Sequence, residues 1–270
     1  ESALPVLKAG GVPNFATGER AAVVLAARAR HAGSRCAVRS SRFAVNADPG
    51  GKTLPWDGEG LEPEVLDWLE AEGVPVLKRR LATSAVEAAG AVEALGGAMA
   101  LKIVAEGISH KTDVGGVVLD VRTKAAARAA FARLRKVGGA GFRGVLAVPM
   151  VRDAVELLVG LSCDPQFGPV VAVGLGGVHA EVLGDVSLRV APVDAAEARA
   201  MLDELRGAPI LHGTRGAKPR DLTAAEELIA RVSELPLRYV DLAELDLNPV
   251  FLLEDGLVVG DARAVRRAVE

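Results

Sequence analysis

Glu244-Leu245-Asp246-Leu247-Asn248-Pro249 alternates polar and apolar residues, the period-two pattern of a strand with one wet face. On that reading Glu244, Asp246 and Asn248 project from one side, and Leu245 and Leu247 from the other. A turn at Asp255-Gly256 follows, and the apolar run Leu257 to Asp261 ends on a carboxylate thirteen residues beyond Asn248. Two neighbouring strands then bring two carboxylates, Asp246 and Asp261, together with the amide oxygen of Asn248. Hard oxygen ligands of this kind suit Mg2+, which keeps several waters and takes further ligands from nucleotide phosphates. The same alternation suits a solvated sheet face, and spacing alone leaves both readings open.

Upstream, strands and helices interleave. The spacing predicts helices over Pro63 to Glu72, Ser84 to Leu95, Lys124 to Val137, Ala195 to Leu205 and Thr223 to Glu234. Strands are predicted at Val74 to Leu77, Met99 to Val104, Gly116 to Val121, Gly144 to Met150, Val155 to Leu161 and Val170 to Val173. Several of these form hairpin-like pairs, so the fold class is α/β or α+β with a mixed sheet. An Ala-rich helix occupies part of the first 39 residues. Ser40 to Glu59, with Asp48-Pro49-Gly50-Gly51 and Pro55, reads as a linker in which Phe43 and Trp56 still find somewhere to dock.

Composition removes several function classes. The 270 residues are 50% hydrophobic, but the excess is Ala and Val spread along the chain, with no run of the roughly 18 apolar residues that a membrane helix needs. A net charge of −3 argues against nucleic acid as a partner, and 3% aromatics argue against base-stacking surfaces. Two distant cysteines, Cys36 and Cys163, fit a cytoplasmic chain without disulfides. The chain opens on Glu1 rather than Met and has no signal-peptide pattern, so trimming or a longer parent chain is expected.

Three loops carry further chemistry. In Gly107-Ile108-Ser109-His110-Lys111-Thr112-Asp113-Val114-Gly115-Gly116, paired glycines let backbone approach a phosphate, and successive N–H groups can form an anion nest. Lys102, on the preceding strand, supplies a positive point charge. His110 suits a base, a ligand or a nucleophile toward phosphorus, or simply a solvated position. Gly174-Leu175-Gly176-Gly177, after an apolar strand, fits neither the dinucleotide fingerprint nor a P-loop, and a tight turn explains it as well as a phosphate loop. Glu181, Asp185 and Arg189 follow it as a mixed-sign stretch. Arg215 sits between Thr214 and Gly216, where a guanidinium can clamp phosphate or merely occupy an exposed turn.

Taken in order, these segments resemble the nucleotide-binding subunit of ADP-forming acetyl-CoA synthetases and their fused relatives. The resemblance covers Leu61 to Arg263. It rests on Ala100-Leu101-Lys102-Ile103, on His110 to Val117, and on Asp164-Pro165-Gln166-Phe167-Gly168-Pro169. It rests equally on Gly174-Leu175-Gly176-Gly177, Gly213-Thr214-Arg215-Gly216 and Asp246-Leu247-Asn248-Pro249. It implies an ATP-grasp fold at 61–270, of two subdomains near 61–142 and 143–270. Residues 1–60 would be the tail of a preceding flavodoxin-like CoA-ligase domain plus the linker.

The resemblance also implies roles. His110 would carry phosphate transiently between the nucleotide and a second histidine on a CoA-binding part. Asn248, Asp261 and Asp246 would hold Mg2+. ATP or ADP would be bound by Lys102, Lys111, Gly115, Gly116, Met150, Glu156, Gly176, Gly177, Glu181 and Arg215. The implied partners are CoA-binding and CoA-ligase domains, on the same longer chain or a separate subunit, in a homo- or hetero-oligomer. This sequence departs from the family in having no Pro in Ala105-Glu106-Gly107-Ile108-Ser109, Val148-Pro149 where a Gln and an acid are usual, and no Gly before Val155-Glu156. Pro149 donates no N–H toward adenine. A nucleotide-sensing module of a fused acetyltransferase-type protein and a carboxylate–amine ligase are the alternative functions.

Overall fold

Every residue of Met99–Ala105 is buried, because this strand, β2, has one face against helices and the other against a second core. It lies in a four-stranded antiparallel sheet of order β1-β4-β2-β3, with β1 at Arg80–Ala82, β3 at Val117–Val121 and β4 at Phe142–Pro149. Met99, Leu101, Ile103 and Ala105 pack beneath two helices, α2 (Ala85–Leu95) and α3 (Lys124–Gly138), alongside Phe131 and Leu134. The alternate residues Ala100 and Val104 join the larger core, and strand periodicity sends Lys102 to their side. The computed structural model describes residues 51–108, 111–164, 167–177, 184–214 and 216–267.

The larger sheet has the order β10-β8-β5-β6-β7, with β9 also paired to β8. Its strands are β5 (Val155–Asp164), β6 (Gly168–Leu175), β7 (Val186–Val190), β8 (Leu242–Leu252), β9 (Leu257–Val259) and β10 (Ala262–Arg266). All named pairings are antiparallel, and parallel contact among the described residues enters through the bridges Lys52–Tyr239 and Val76–Val259. Helices α4 (Ala195–Asp203) and α6 (Leu222–Arg238), with the single turn α5 (Ala208–Leu211) between them, lie against this sheet, as does α1 (Glu62–Ala71).

The termini are set by local chemistry. Ser84 and Glu87 cap α2 reciprocally, Thr123 caps α3, and Asp221 caps α6 while also accepting from the Gly256 N–H at 2.8 Å. No helix among the described residues is long and apolar enough to cross a membrane.

The differences from expectation have local causes. Val74 to Leu77 is not a strand. Val76 makes one bridge to Val259, and Val74 N–H is used by Leu69 O of the preceding helix. Strand β10 carries two arginines, Arg263 and Arg266, and its polar look hid it; β7 follows the glycine loop and was hidden likewise. β8 runs on to Leu252, past the alternating stretch, because a bulge absorbs the chain at Asn248-Pro249: Val159 faces Leu247, but Leu157 faces Val250. Because β4 belongs to the smaller sheet, the change of sheet falls between Pro149 and Val155, beyond the boundary expected near residue 143.

The lead-in segment 52–60 is docked rather than loose. Leu54 N–H donates to Asp241 Oδ1 at 3.1 Å, Gly60 N–H donates to Ala264 O at 3.0 Å, and Trp56 stacks edge-on to Trp68, which stands edge-on to Tyr239. Beneath them Glu72, its side chain 7% exposed, accepts from Tyr239 OH at 2.6 Å, from Lys52 Nζ and from Arg238. Burial pushes the Glu72 carboxyl up, but these donors and charges outweigh it and hold the group below 4.5. Its contribution to stability is therefore complete above that value and is lost as pH falls through the lower folded-state value. Glu72→Gln is expected to cost about 2 kcal/mol at neutral pH, and the gap to wild type to close in acid. Urea unfolding at pH 7 and pH 3 measures it.

Candidate functional site

Four charged side chains from four parts of the chain meet where β2 faces α1 and the β9–β10 turn. Lys102 Nζ donates to Gly260 O at 2.8 Å, to Asp261 Oδ2 at 3.1 Å, and in a short contact to Glu62 Oε1. Lys111 Nζ donates to both Asp261 oxygens, at 3.0 and 3.1 Å, and forms an ion pair with Glu62 Oε2 at 2.8 Å. Two ammonium groups and two carboxylates make the cluster neutral, which allows it to be buried. Burial pushes Asp261 up, but the charges of Lys102 and Lys111 overcome this and hold its carboxyl below the usual range. Burial likewise pulls Lys111 down, and the Coulombic pull of Glu62 and Asp261 more than reverses it.

Glycine shapes the loop that returns Lys111 to this cluster. Gly115 has φ +69°, and a Cβ at Gly116 would stand 2.5 Å from Ile103 Cγ2 and 2.8 Å from Lys111 O. The N–H groups of Gly115 and Gly116 donate to Thr112 O at 3.0 Å and Lys111 O at 2.6 Å. The expected anion nest at this pair is thereby corrected: both donors are spent inside the loop, and what the loop presents is the Lys111 ammonium. Gly116→Ala is expected to cost about 1–3 kcal/mol through this collision, read from denaturant unfolding.

The expected metal strands also meet. Asn248 N–H donates to Asp261 O at 3.2 Å, and Ala262 and Arg263 face Leu247 and Asp246, so Asp261 follows opposite Asn248. Laterally paired residues share a sheet face, which puts Asp246, Asn248 and Asp261 along one side. Among the described residues no group of three or more His, Cys, Asp or Glu side chains is arranged as a metal cage. Mg2+ does not require one, since one or two oxygen ligands from the protein suffice beside phosphates and water. Asn248 and Asp261 fit that donor set.

A second group lies farther along β5. Gly176 N–H donates to Glu156 O at 2.7 Å, and Gly177, at φ +82°, lies beside the Glu156 carboxylate. Glu156 faces Phe251 of β8. Met150 N–H is taken by Ala98 O at 3.0 Å, and the residue packs on the larger core where the chain passes between sheets. The expectations placed on His110, Glu181 and Arg215 lie outside the described residues, as do those on residues 1–50. Glu62 was not foreseen. It reads as an ordinary acid in a helical first turn, and only its burial to 5% exposure marks it.

A lysine pair and a carboxylate–amide pair lie between a four-stranded and a six-stranded antiparallel sheet, each backed by helices, the two-layered α+β arrangement of an ATP-grasp fold. The ATP-grasp domain family matches residues 58–265, and the chain belongs to it.

Its relatives are ligases. Acetate–CoA ligase [ADP-forming] I subunit beta of Pyrococcus furiosus is 38% identical over 76% of this chain and 90% of its own length. Acetate–CoA ligase [ADP-forming] I of Archaeoglobus fulgidus is 38% identical over 96% of this chain, which spans 40% of that protein's length. Among solved structures, the dinucleotide-forming acetyl-coenzyme A synthetase 1 of Ca. Korarchaeum cryptofilum matches at TM-score 0.74 with 38% identity. That match, to a complex with coenzyme A and Ca-AMPCP, covers 78% of this chain and 94% of the other. The same synthetase with coenzyme A and Mg-AMPPCP, its phosphohistidine segment pointing towards the nucleotide binding site, matches at TM-score 0.68 with 35% identity over 78% and 93%.

Proposed function

We propose that this chain is the nucleotide-binding part of an ADP-forming acyl-CoA ligase, handling phosphoryl groups for the reversible conversion of acyl-CoA, ADP and phosphate to acid, CoA and ATP. The observation that carries the reading is the convergence of Lys102 and Lys111 on Asp261 beside Asn248. The two ammonium groups neutralise and orient the phosphates of ATP or ADP. Asn248 and Asp261, with Asp246 beside them, hold Mg2+, which offsets charge on the transferring phosphoryl group. The Glu156, Gly176 and Gly177 group lines the nucleotide farther along the sheet.

His110 precedes the anchored Lys111 and takes the terminal phosphoryl group on a ring nitrogen, passing it to a CoA-binding part on the same longer chain or a separate subunit. A mobile covalent carrier is what two sites too far apart for direct attack require. The Korarchaeum synthetase, with its phosphohistidine segment pointing towards the nucleotide site, supports this assignment.

The chain alone is expected to bind Mg-ADP and to label itself from γ-labelled Mg-ATP, giving phosphate that is acid-labile and base-stable, while forming no acyl-CoA. Intact Mg-ATP binding in calorimetry without any such label would end the relay reading.

A further inference from the structure

Glu62 belongs to no motif, yet it is the most enclosed charge of the site. Its side chain is 2% exposed, against 8% for Lys102, 13% for Lys111 and 22% for Asp261. It stands at the first position of α1, where the helix dipole favours an anion, and each of its oxygens faces a different lysine. An ammonium has three N–H groups. Those of Lys102 are filled by Glu62, Gly260 O and Asp261, so Lys102 can reach a phosphate only by releasing one partner. Gly260 O is fixed in backbone and Glu62 is sealed in. Asp261, the most open of the four, is the partner that can turn away, and it is also the carboxylate suited to the metal.

Once Asp261 turns, two like charges would be left side by side, and they repel. Glu62 alone still spans both. We propose that Glu62 is the positioning residue that keeps Lys102 and Lys111 converged on the nucleotide phosphates while Asp261 serves the metal. This rests on the nucleotide-phosphate reading above and adds to it the part that makes the exchange at Asp261 workable. The site then has two anions of different duty: a fixed one that gathers the lysines, and an exchangeable one that occupies them until Mg-nucleotide arrives.

The test is calorimetry of ADP binding to the 270-residue chain, with Mg2+ and with EDTA. Glu62→Gln is expected to weaken Mg-ADP binding about tenfold or more, the scale of losing one charged partner. The loss should be smaller in EDTA, where Asp261 still steadies the lysines; a merely structural role would weaken both equally. Glu62→Asp, one methylene shorter, should regain part of the affinity. Glu64→Gln, removing the neighbouring acid that caps Leu61 N–H at 3.1 Å, should stay within about twofold. Wild-type binding of Mg-ADP together with Glu62→Gln affinity within about twofold, or equal losses in both conditions, overturns the role of Glu62 alone. Failure of the wild type to bind Mg-ADP overturns the site reading itself. Should Glu62→Gln not fold by circular dichroism, Glu62→Asp decides: wild-type affinity there overturns the proposal, and a Mg-dependent loss upholds it.

Discussion

Lys102→Met is expected to destabilise the chain by about 3–5 kcal/mol, the cost of stranding a buried carboxylate by removing its partner, and to abolish measurable Mg-ADP binding. Met matches the stem of Lys, so the buried strand around it keeps its packing and the loss isolates the ammonium. Glu62 Oε1 would lose its hydrogen-bond donor, Gly260 O would lose the 2.8 Å donor from Lys102, and Asp261 would keep Lys111 only. For a domain of this size each kcal/mol moves Tm by about 2–4 °C, so a fall of roughly 6–20 °C is expected.

The two effects separate in a double variant. Lys102→Met with Glu62→Leu removes both charges and should recover most of the stability, because replacing a whole buried pair with apolar groups is close to neutral. Nucleotide binding should not return. Thermal unfolding and calorimetry on the same samples check both. A single variant within about 1 kcal/mol of wild type would mean that the pair is effectively solvated.

Much of this site was readable from residues close in sequence. The apolar run Met99 to Val104 gave a strand, with Lys102 as its one charge, and the structure buries all of it. The alternation from Glu244 to Asn248 gave a strand and a face, and the turn at Asp255-Gly256 gave its partner. What could not be read is where these pieces meet. Lys102 and Glu62 are 40 residues apart, and Lys102 and Asp261 are 159 apart. No local period links such positions.

The glycine pair misled for a related reason. Gly115 and Gly116 do permit close backbone approach, but the group that approaches is the carbonyl of Lys111, not a ligand. Propensity says that backbone can come near; only the fold says what comes. The strands hidden from the sequence, β1, β7 and β10, are short and end their sheets, and their charged residues, such as Arg80, Arg189, Arg263 and Arg266, weaken the apolar signal.

His110→Ala is expected to remove all acid-labile phosphate from a chain incubated with γ-labelled Mg-ATP, while changing Mg-ADP affinity by less than about threefold, under 1 kcal/mol. The asymmetry follows from the division of labour. On the proposed function phosphate binding falls to Lys102 and Lys111, which converge on Asp261 through contacts of 3.0–3.1 Å. In that proposal the imidazole would contribute only a nucleophilic nitrogen, and alanine has none. Ser109, the adjacent hydroxyl, offers an internal check: a phosphoserine resists acid and yields to base, the reverse of a phosphohistidine, so the label's chemistry assigns the residue. Lys111→Ala should give the opposite pattern, with weakened nucleotide binding and a slowed label that rises again at saturating Mg-ATP. A label that survives in His110→Ala, or that withstands acid in the wild type, would remove the histidine from the relay and leave a nucleotide-binding domain whose phosphoryl group goes directly to an acceptor elsewhere.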